Sequence, residues 1–371
     1  MFHLPLIFPS MNLVDQIVTL SERDIERKSM TKTTKLVPSG SSLINLMCSD
    51  KITGAFKVGT IVNIAGLSFT GKTMLALSTL AECSINKQFD DYKLVFDDVE
   101  RANSYDIRYL FGKRAEERIQ SPDYEEEEEI QSYCIEHCHV NIKKLFDAGD
   151  PFIYIIDSFD GLGSLEELEE LENTEEAIDK GKATKGSYHT GKARYASRMF
   201  RDISSKIADS NSLLIILSQL RTDLDPRTRT KYFVAGGMAL RYYSTHVLWL
   251  HNAGKETKTK GKNIIEIGNR VKAVTEKNKI SGKKRDCQLK MYYDYGIDDL
   301  GSMVDFLVDA GELSQSGKSI VWEAIDFKGT RVRLLKHIEE NNLERKLRKL
   351  TSKVWREREE ILKLGRKRKY D

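Results

Sequence analysis

Apolar positions along this chain fall in short β-branched runs, separated by longer stretches whose apolar residues recur at helical spacing. Gly59 to Ile64 is β-branched and bounded by glycines, which predicts a buried strand; Met74 to Cys83, after a Gly-rich turn, carries a helix pattern. Further strands are predicted at Lys93 to Asp98, Phe152 to Asp157, Leu213 to Ser218 and His246 to His251, each followed by a helical stretch or a loop. Alternation of this kind predicts an α/β fold, a mostly parallel twisted sheet with helices on both faces. Gln288 to Tyr293 reads as one more strand and Asp299 to Ile338 as a small separate lobe. Near the N-terminus, Leu13, Ile17 and Leu20 share one face of a short amphipathic helix over Asn12 to Arg27, and Ser29 to Ser42 reads as a polar linker. No internal repeat is visible.

Composition narrows the class. Of 371 residues, 40% are hydrophobic and 31% charged, with only 6 Pro and 24 Gly, which excludes collagen-like and wholly disordered chains. Apolar runs such as Ile153 to Ile156 fall far short of the roughly 20 residues that span a bilayer, so no membrane span is expected. The opening MFHLPLIFPS is apolar but lacks a basic n-region and a small-residue cleavage site, so it does not read as a signal peptide; either Met1 or Met11 could serve as the start. An odd number of cysteines, 5, without regular spacing fits a reducing compartment and a cytoplasmic location.

Net charge, +3 from 59 basic and 56 acidic residues, is too small to announce a nucleic-acid partner, but its distribution is uneven. Asp123 and Glu125 to Glu129 form one acidic block, and Glu166 to Glu176 hold seven carboxylates. Between Glu344 and Asp371, twelve Lys or Arg stand against five acids, a net +7.

The strongest chemical signal is Gly66-Leu67-Ser68-Phe69-Thr70-Gly71-Lys72-Thr73. It fits G-x-x-x-x-G-K-[ST] between a predicted strand and a predicted helix, the context that the pattern requires. Glycines let backbone N–H groups approach phosphates, the helix N-terminus favours an anion, Lys72 reaches the outer phosphates and Thr73 ligates Mg²⁺. Gly66 to Thr73, with Met74 next on the helix, are therefore candidate ATP-binding residues. An Mg²⁺ site of this class wants a carboxylate at the end of a neighbouring strand, which Asp157 in PFIYIIDS supplies. Asp97, Asp98 and Glu100 cluster after the Lys93 strand, and any of them could orient or deprotonate the attacking water.

In order and at matching distances, these motifs resemble the RecA recombinases, over roughly Leu43 to Gly311. The resemblance implies a RecA-like P-loop NTPase core at residues 43–298, an N-terminal oligomerisation helix and linker at 1–42, and a small C-terminal lobe with a basic helical tail at 299–371. It selects Glu100 in FDDVERA as the general base, leaves Asp97 and Asp98 as strand-end residues, and assigns Asp157 to the metal. Gln219, ending the strand LLIILSQLR, becomes the switch that senses the γ-phosphate. GSYHTGKARYASRM resembles the family's first DNA loop and the helix after it, which carries Lys192, Arg194 and Arg198. GGMALRYYS, with Gly236 and Gly237, resembles the segment closing the second loop, here about Arg221 to Gly237. Within that loop Arg221, Arg227, Arg229 and Lys231 would face backbone charge, and Tyr232 and Phe233 would wedge between or stack on bases. EKNKISG resembles the stretch whose lysines reach a neighbour's ATP, so Lys277 and Lys279 would act in trans. Tyr105 matches the adenine-stacking tyrosine with an offset of two residues.

The implied protein is an ATP-dependent, DNA-stimulated ATPase that uses Mg²⁺ and forms a homo-oligomeric helical filament on single-stranded DNA. Its partners would be that strand, a homologous duplex, and single-strand-binding or loader proteins, in a DNA- or nucleoid-associated location. The alternative is a ring-forming motor on the same core, a helicase or branch-migration ATPase, which calls for an extra domain. A non-catalytic ATP-gated scaffold is a third reading, and Lys72, Glu100 and Asp157 speak against it.

Several features depart from the family. The two acidic stretches read as solvated helical or loop inserts. A basic tail stands where the family's acidic one is usual. Cys134, His137, Cys138 and His139 crowd one segment without a distant second ligand pair and read as helix residues rather than a metal site. Leu343, Leu347, Leu350 and Val354 define an amphipathic tail helix that could pack on the core or lie along nucleic acid.

Overall fold

The central strands are apolar on both sides because both sides are covered. In Phe152–Asp157, Phe152, Tyr154 and Ile156 belong to one apolar cluster, and Ile153 and Ile155 to another on the opposite face. Leu213 to Leu217 divide the same way, odd positions to the second cluster and even ones to the first, as the two-residue strand period dictates. Each such residue is fully buried, worth about 1.5–3 kcal/mol of transfer free energy.

The computed structural model describes residues 35–125, 128–171, 191–222, 232–234 and 237–366. Ten strands build the main sheet: β1 (Thr60–Gly66), β2 (Lys93–Asp98), β3 (Ile119–Gln120), β4 (Phe152–Asp157), β5 (Leu213–Thr222), β6 (Tyr232–Val234), β7 (His246–Lys260), β8 (Asn263–Asn278), β9 (Asp286–Tyr292) and β10 (Gly296–Ile297). The order is β10-β9-β8-β7-β1-β5-β4-β2-β3, with β6 paired to β5. From β7 through β3 all neighbours are parallel; β8, β9, β10 and β6 add antiparallel edges. Helices α1 (Ser42–Ser49) and α2 (Lys72–Ile85) cover one face, while α3 (Ile135–Ala148), α4 (Gly191–Ser210) and α5 (Gly237–Tyr243) contribute to the cluster on the other. The five predicted parallel strands are thus present, and the mostly parallel α/β sheet stands.

Three expectations change. First, the strand predicted at His246 to His251 runs on to Lys260 and folds back as β8, pairing as far as Lys260↔Asn263. Residues 255–266 lie beyond the reach of β9, which covers β8 only from Gly268 to Val274. Its β7 half, Lys255 to Lys260, is polar on both faces and on the β8 half Ile264 and Ile265 are adjacent and exposed, so it carries no period-two apolar signal. Second, the Glu125 to Glu129 block is neither helix nor simple loop: Asp123–Glu125 pairs antiparallel with Glu128–Ile130. The later acidic stretch is helical over residues 165–171, and the rest lies outside the described residues.

Third, the described C-terminal residues, 299–366, pack into the core on one face of the sheet rather than standing apart. Helices α6 (Asp299–Asp309), α7 (Arg331–Glu340) and α8 (Glu344–Ile361) flank a three-stranded antiparallel sheet, Ser314–Ser316, Ser319–Trp322 and Phe327–Thr330. Met303, Leu307, Leu334, Leu347 and Trp355 join the cluster that contains α1 and β9. Asp299 seals the seam by accepting from the Ser42 amide at 2.6 Å and its hydroxyl at 2.7 Å. Of the two options for the tail helix, packing on the core is the one seen: Leu347, Thr351, Val354 and Trp355 are its buried face. From Leu36 on the chain forms one compact unit. No helix among the described residues is long and apolar enough to cross a membrane. The Asn12 to Arg27 helix and linker residues 29–34 lie outside the described residues, whereas Leu36–Val37 pairs antiparallel with Phe56–Lys57 and anchors the end of the linker in the core.

Candidate functional site

The phosphate loop joins β1 to α2, and its two outer glycines have steric reasons. A Cβ on Gly66 would meet the Thr70 hydroxyl and lie 2.9 Å from the Leu250 carbonyl of β7. Gly71 sits at φ +82° against Met291 of β9, a conformation that L side chains rarely adopt. Gly71 also caps α2 without any side-chain hydrogen bond, so the first-turn amides of Lys72, Thr73 and Met74 keep their donors for an anion. Thr70 braces the loop through a 2.8 Å bond to the Leu67 carbonyl, whereas Phe69 projects into solvent, 89% exposed. Leu67 and Ser68 are exposed alongside it. The Met74 side chain is buried in the core, so only its backbone faces the loop.

Lys72 folds back to donate to the Gly66 carbonyl at 3.1 Å and the Leu67 carbonyl at 3.0 Å. Burial lowers its pKa, and Asp157, Glu100 and Asp160 pull it back up. Three carboxylates thus act electrostatically on one amine, an excess of negative charge that a divalent cation would offset. Thr73 donates to an Asp157 carboxylate oxygen at 2.6 Å, so two hard oxygen donors meet at the end of β4. Burial pushes the Asp157 carboxyl up to about 6, the Thr73 bond pulls it down, and Glu100 and Asp98 add repulsion. A dication between Thr73 and Asp157 would relieve that strain, so the residues fit Mg²⁺.

The three acids after β2 occupy different places. Asp97 is fully buried and accepts from the Ser132 amide at 2.8 Å and the Tyr154 hydroxyl at 2.6 Å, a structural role. Asp98 accepts from the Asn103 amide at 3.0 Å and braces the turn. Glu100 turns to the site, where it accepts from the Ser158 hydroxyl. Tyr105 is partly exposed, and burial and Asp157 raise its hydroxyl pKa.

Gln219 lies on β5 level with Gly66 of β1, so the candidate switch is one strand away from the phosphate loop. Its backbone N–H, not its side-chain amide, donates to the Asp160 carboxylate at 2.6 Å. Asp160 was not expected here: it sits in the turn Phe159–Gly161, and only the register of β5 brings Gln219 onto it. Arg221 is exposed two residues further along β5. Tyr232 pairs with Thr222, and Phe233 is exposed on the same short strand, β6. Lys192 turns inward, donating to the Phe159 carbonyl at 2.7 Å and lying 5.0 Å from the Phe159 ring centre. Arg194 is paired with Glu166 at 2.8 Å, and Arg198 lies over Tyr195. Gly237 begins α5; Arg227, Arg229, Lys231 and Gly236 lie outside the described residues.

Lys277, at the end of β8, donates to the Arg241 and Tyr242 carbonyls in the last turn of α5. Lys279 follows, its amide bonded to the Thr245 carbonyl at 3.0 Å. Neither lysine touches the phosphate loop of its own chain in any hydrogen bond described. In the cysteine and histidine segment, Cys134 caps α3, Cys138 is buried and His139 bonds Tyr195 and Asp202 at 3.1 and 2.9 Å. Among the described residues no three ligand side chains cluster as a metal centre.

The geometry is matched by kinship. A family model described as RecA N-terminal domain matches residues 17–298. Protein RecA of Ureaplasma parvum is 27% identical over 270 residues, covering 72% of each chain. Protein RecA of Thermus thermophilus is 25% identical over 283 residues, 76% of this chain and 74% of its own. Protein RecA of Staphylococcus epidermidis is 28% identical over 269 residues, 71% of this chain and 67% of its own. With three quarters of its length matched by the family model and the phosphate loop, both strand-end acids and the glutamine in place, the chain belongs to the RecA family of P-loop recombinases.

Proposed function

We propose that this protein is an ATP-dependent recombinase that polymerises on single-stranded DNA as a helical filament and pairs it with a homologous duplex, hydrolysing ATP faster when DNA is bound. The observation that carries the reading is the convergence of Thr73, Asp157, Glu100 and Gln219 at one end of the parallel sheet, with Gln219 on the strand that leads into Arg221. Ligands of open α/β sheets bind at the carboxyl ends of the strands, and all four residues lie there.

In this reading Lys72 leaves the loop carbonyls for the outer phosphates, and the α2 amides cradle the inner ones. Thr73 and Asp157 hold Mg²⁺, which when bound neutralises charge on the phosphate oxygens. Glu100, kept in place by Ser158, orients the attacking water and accepts its proton. Gln219 senses the γ-phosphate from β5 and passes its presence to the loop after Arg221. Tyr105 lies against the base, while Lys277 and Lys279 reach the nucleotide of the adjacent subunit. Lys192, Arg194, Arg198, Arg221, Arg227, Arg229, Lys231, Tyr232, Phe233, Gly236 and Gly237 form the two DNA-binding loops, and residues 1–42 link subunits. Single-strand-binding and loader proteins are further partners, in a DNA-associated cellular location.

The test is ATP hydrolysis with and without single-stranded DNA, with negative-stain microscopy of the same samples plus a non-hydrolysable ATP analogue. DNA-stimulated turnover with nucleotide-dependent helical filaments supports the reading. Closed rings would replace it with a motor, and an absence of DNA stimulation would leave only an ATPase.

A further inference from the structure

Parallel strands β4 and β5 pair only as far as Ile156↔Ile216. Three residues further on, the Gln219 amide would lack an acceptor on that side, and the Asp160 carboxylate supplies one at 2.6 Å. Asp160 belongs to the single turn, Phe159–Gly161, that follows Asp157. That turn also receives the Lys192 ammonium, through the Phe159 carbonyl at 2.7 Å, the Asp160 carbonyl at 3.2 Å and the Phe159 ring. Lys192 is the second residue of α4, where the first candidate DNA loop ends; Arg221 lies where the second begins. Asp160 therefore bonds the switch residue through its carboxylate and the root of one loop through its carbonyl, and the bonded Gln219 lies two residues before the root of the other.

Charge supports the same grouping. Burial pushes the Asp160 carboxyl up, while the Gln219 amide, Lys192 and Arg221 hold it down, and Glu100 adds repulsion. Lys192, in turn, is lowered by burial and restored first by Asp160. An anion whose charge acts on cations at the roots of polyanion-binding loops competes with the polyanion for them.

We propose that Asp160 is a positioning residue that couples the nucleotide switch at Gln219 to the roots of both DNA-binding loops, and that DNA phosphates compete with it for Lys192 and Arg221. The proposal rests on the recombinase reading above. The hydrogen bond fixes where β5 leaves the sheet, so a shift at Gln219 moves the turn and, with it, Lys192. The carboxylate's charge also attracts the two cations until a phosphate backbone takes its place.

Two substitutions separate the bond from the charge. Asp160→Asn keeps an oxygen that accepts from the Gln219 amide and removes the charge; Asp160→Ala removes both. The measurements are the ratio of turnover with poly(dT) to turnover without it, and the nucleotide-free affinity for the same oligonucleotide across a salt series. In D160A the ratio falls roughly fivefold or more, the scale of an ordinary allosteric coupling, while D160N keeps most of it. Both variants bind poly(dT) more tightly than wild type without nucleotide, because the internal competitor is gone. Should D160A fail to fold, Asp160→Val, close in volume and without an acceptor, takes its place. A wild-type ratio in D160A, or equal loss in D160N and D160A, overturns coupling through the hydrogen bond; unchanged nucleotide-free affinity overturns the competition. A wild-type protein with no DNA stimulation fails before any variant is compared, and that outcome sinks the recombinase reading together with the coupling built on it.

Discussion

The Ser158 hydroxyl donates to the Glu100 carboxylate, tying the acid that follows β2 to the residue that follows Asp157 on β4. The Glu100 backbone amide also reaches the Asp157 carbonyl at 3.4 Å, so the proposed base and the proposed metal acid are tied together twice. A glutamine at position 100 keeps an oxygen for Ser158 but cannot take a proton from water. Glu100→Gln should therefore bind an ATP analogue as wild type does, while turnover falls about 10²- to 10⁴-fold, the usual worth of a general base. Phosphate release and analogue titration check both halves, and unchanged turnover would remove Glu100 from the role.

Asp157 carries a cost for its position. Its carboxyl is pushed by burial to about 6, against 3.8 as the ordinary value. Between those two pH values the folded protein holds a proton that the unfolded chain has lost, so stability falls as pH rises through that window and is flat above it. Asp157→Asn removes this dependence. Without Mg²⁺ or nucleotide, the variant should be more stable than wild type by about 3 kcal/mol above pH 6, with the difference vanishing below pH 4. Turnover with Mg²⁺ and ATP should be lost in the same variant. Thermal melts across the pH range decide it, and a variant less stable than wild type at pH 8 would contradict the assignment.

Lys277 has one place in the single chain and a second one proposed in the assembly. In the single chain its ammonium caps α5, a favourable place for a cation at a helix C-terminus. Burial first, then Lys279 and Arg241, lowers its pKa to about 8, so it is more easily drawn away than an ordinary lysine. If it then serves the neighbour's nucleotide, Lys277→Met and Glu100→Gln damage opposite sides of one intersubunit site. Each alone should be slow. Mixed in equal amounts, they should recover about a quarter of wild-type turnover, the fraction of head-to-tail contacts that join an intact lysine to an intact glutamate. No recovery would place Lys277 in the same subunit as the nucleotide it serves.

His246 opposes Asp157 in its pH dependence. It is fully buried at the start of β7, edge-on to Phe56, with Nε2 3.4 Å from the Cys48 carbonyl and Nδ1 without a partner. Burial lowers its pKa from 6.5 to about 4. The folded state binds fewer protons than the unfolded one between these values, so stability is full above pH 6.5 and declines as pH falls towards 4. His246→Phe should remove about 2–3 kcal/mol of that acid loss. Urea midpoints at pH 7 and pH 4.5 give the test: an identical acid loss in both proteins would exclude His246 as its source.

What the sequence made legible was local. The phosphate loop is eight consecutive residues, and the strand before it and helix after it are fixed by their own apolar period. The five buried parallel strands announce themselves because water touches neither face. Strand alternation left Asp97, Asp98 and Glu100 as equals, since it does not say which carboxylate meets Ser132 and which meets Ser158, and only the family resemblance singled out Glu100. The β7–β8 ribbon was missed because Lys255 to Lys260 is polar on both faces, so nothing distinguishes it from a loop. Asp160 was missed for a different reason: its partner lies 59 residues away, across a register that only the folded sheet defines. The tail helix was half legible, its apolar stripe clear and its docking face not.

That docking face yields the last prediction. Arg285, on the loop entering β9, is buried beneath α8 and bonded to Asp50 at 2.7 Å and Glu359 at 2.6 Å, with its guanidinium 5.7 Å from the Trp355 ring centre. Asp50 also accepts from the Trp355 indole at 3.4 Å, so one cation joins α1, β9 and α8. Removing the guanidinium strands Glu359 in a low-dielectric seam with Lys283 as its remaining cation. Arg285→Ala should destabilise by about 3–5 kcal/mol, as breaking one side of a buried ion pair does. Arg285→Lys should recover only part, since an ammonium cannot bridge both carboxylates and lie against the indole at once. Trp355→Ala should cost about 3–5 kcal/mol through its cavity, and the double variant less than the sum because the two side chains share a contact. Urea midpoints, with protease cleavage within α8 as a local readout, separate undocking of the helix from global unfolding. A cost under about 1 kcal/mol for Arg285→Ala would show that α8 rests on its apolar stripe alone.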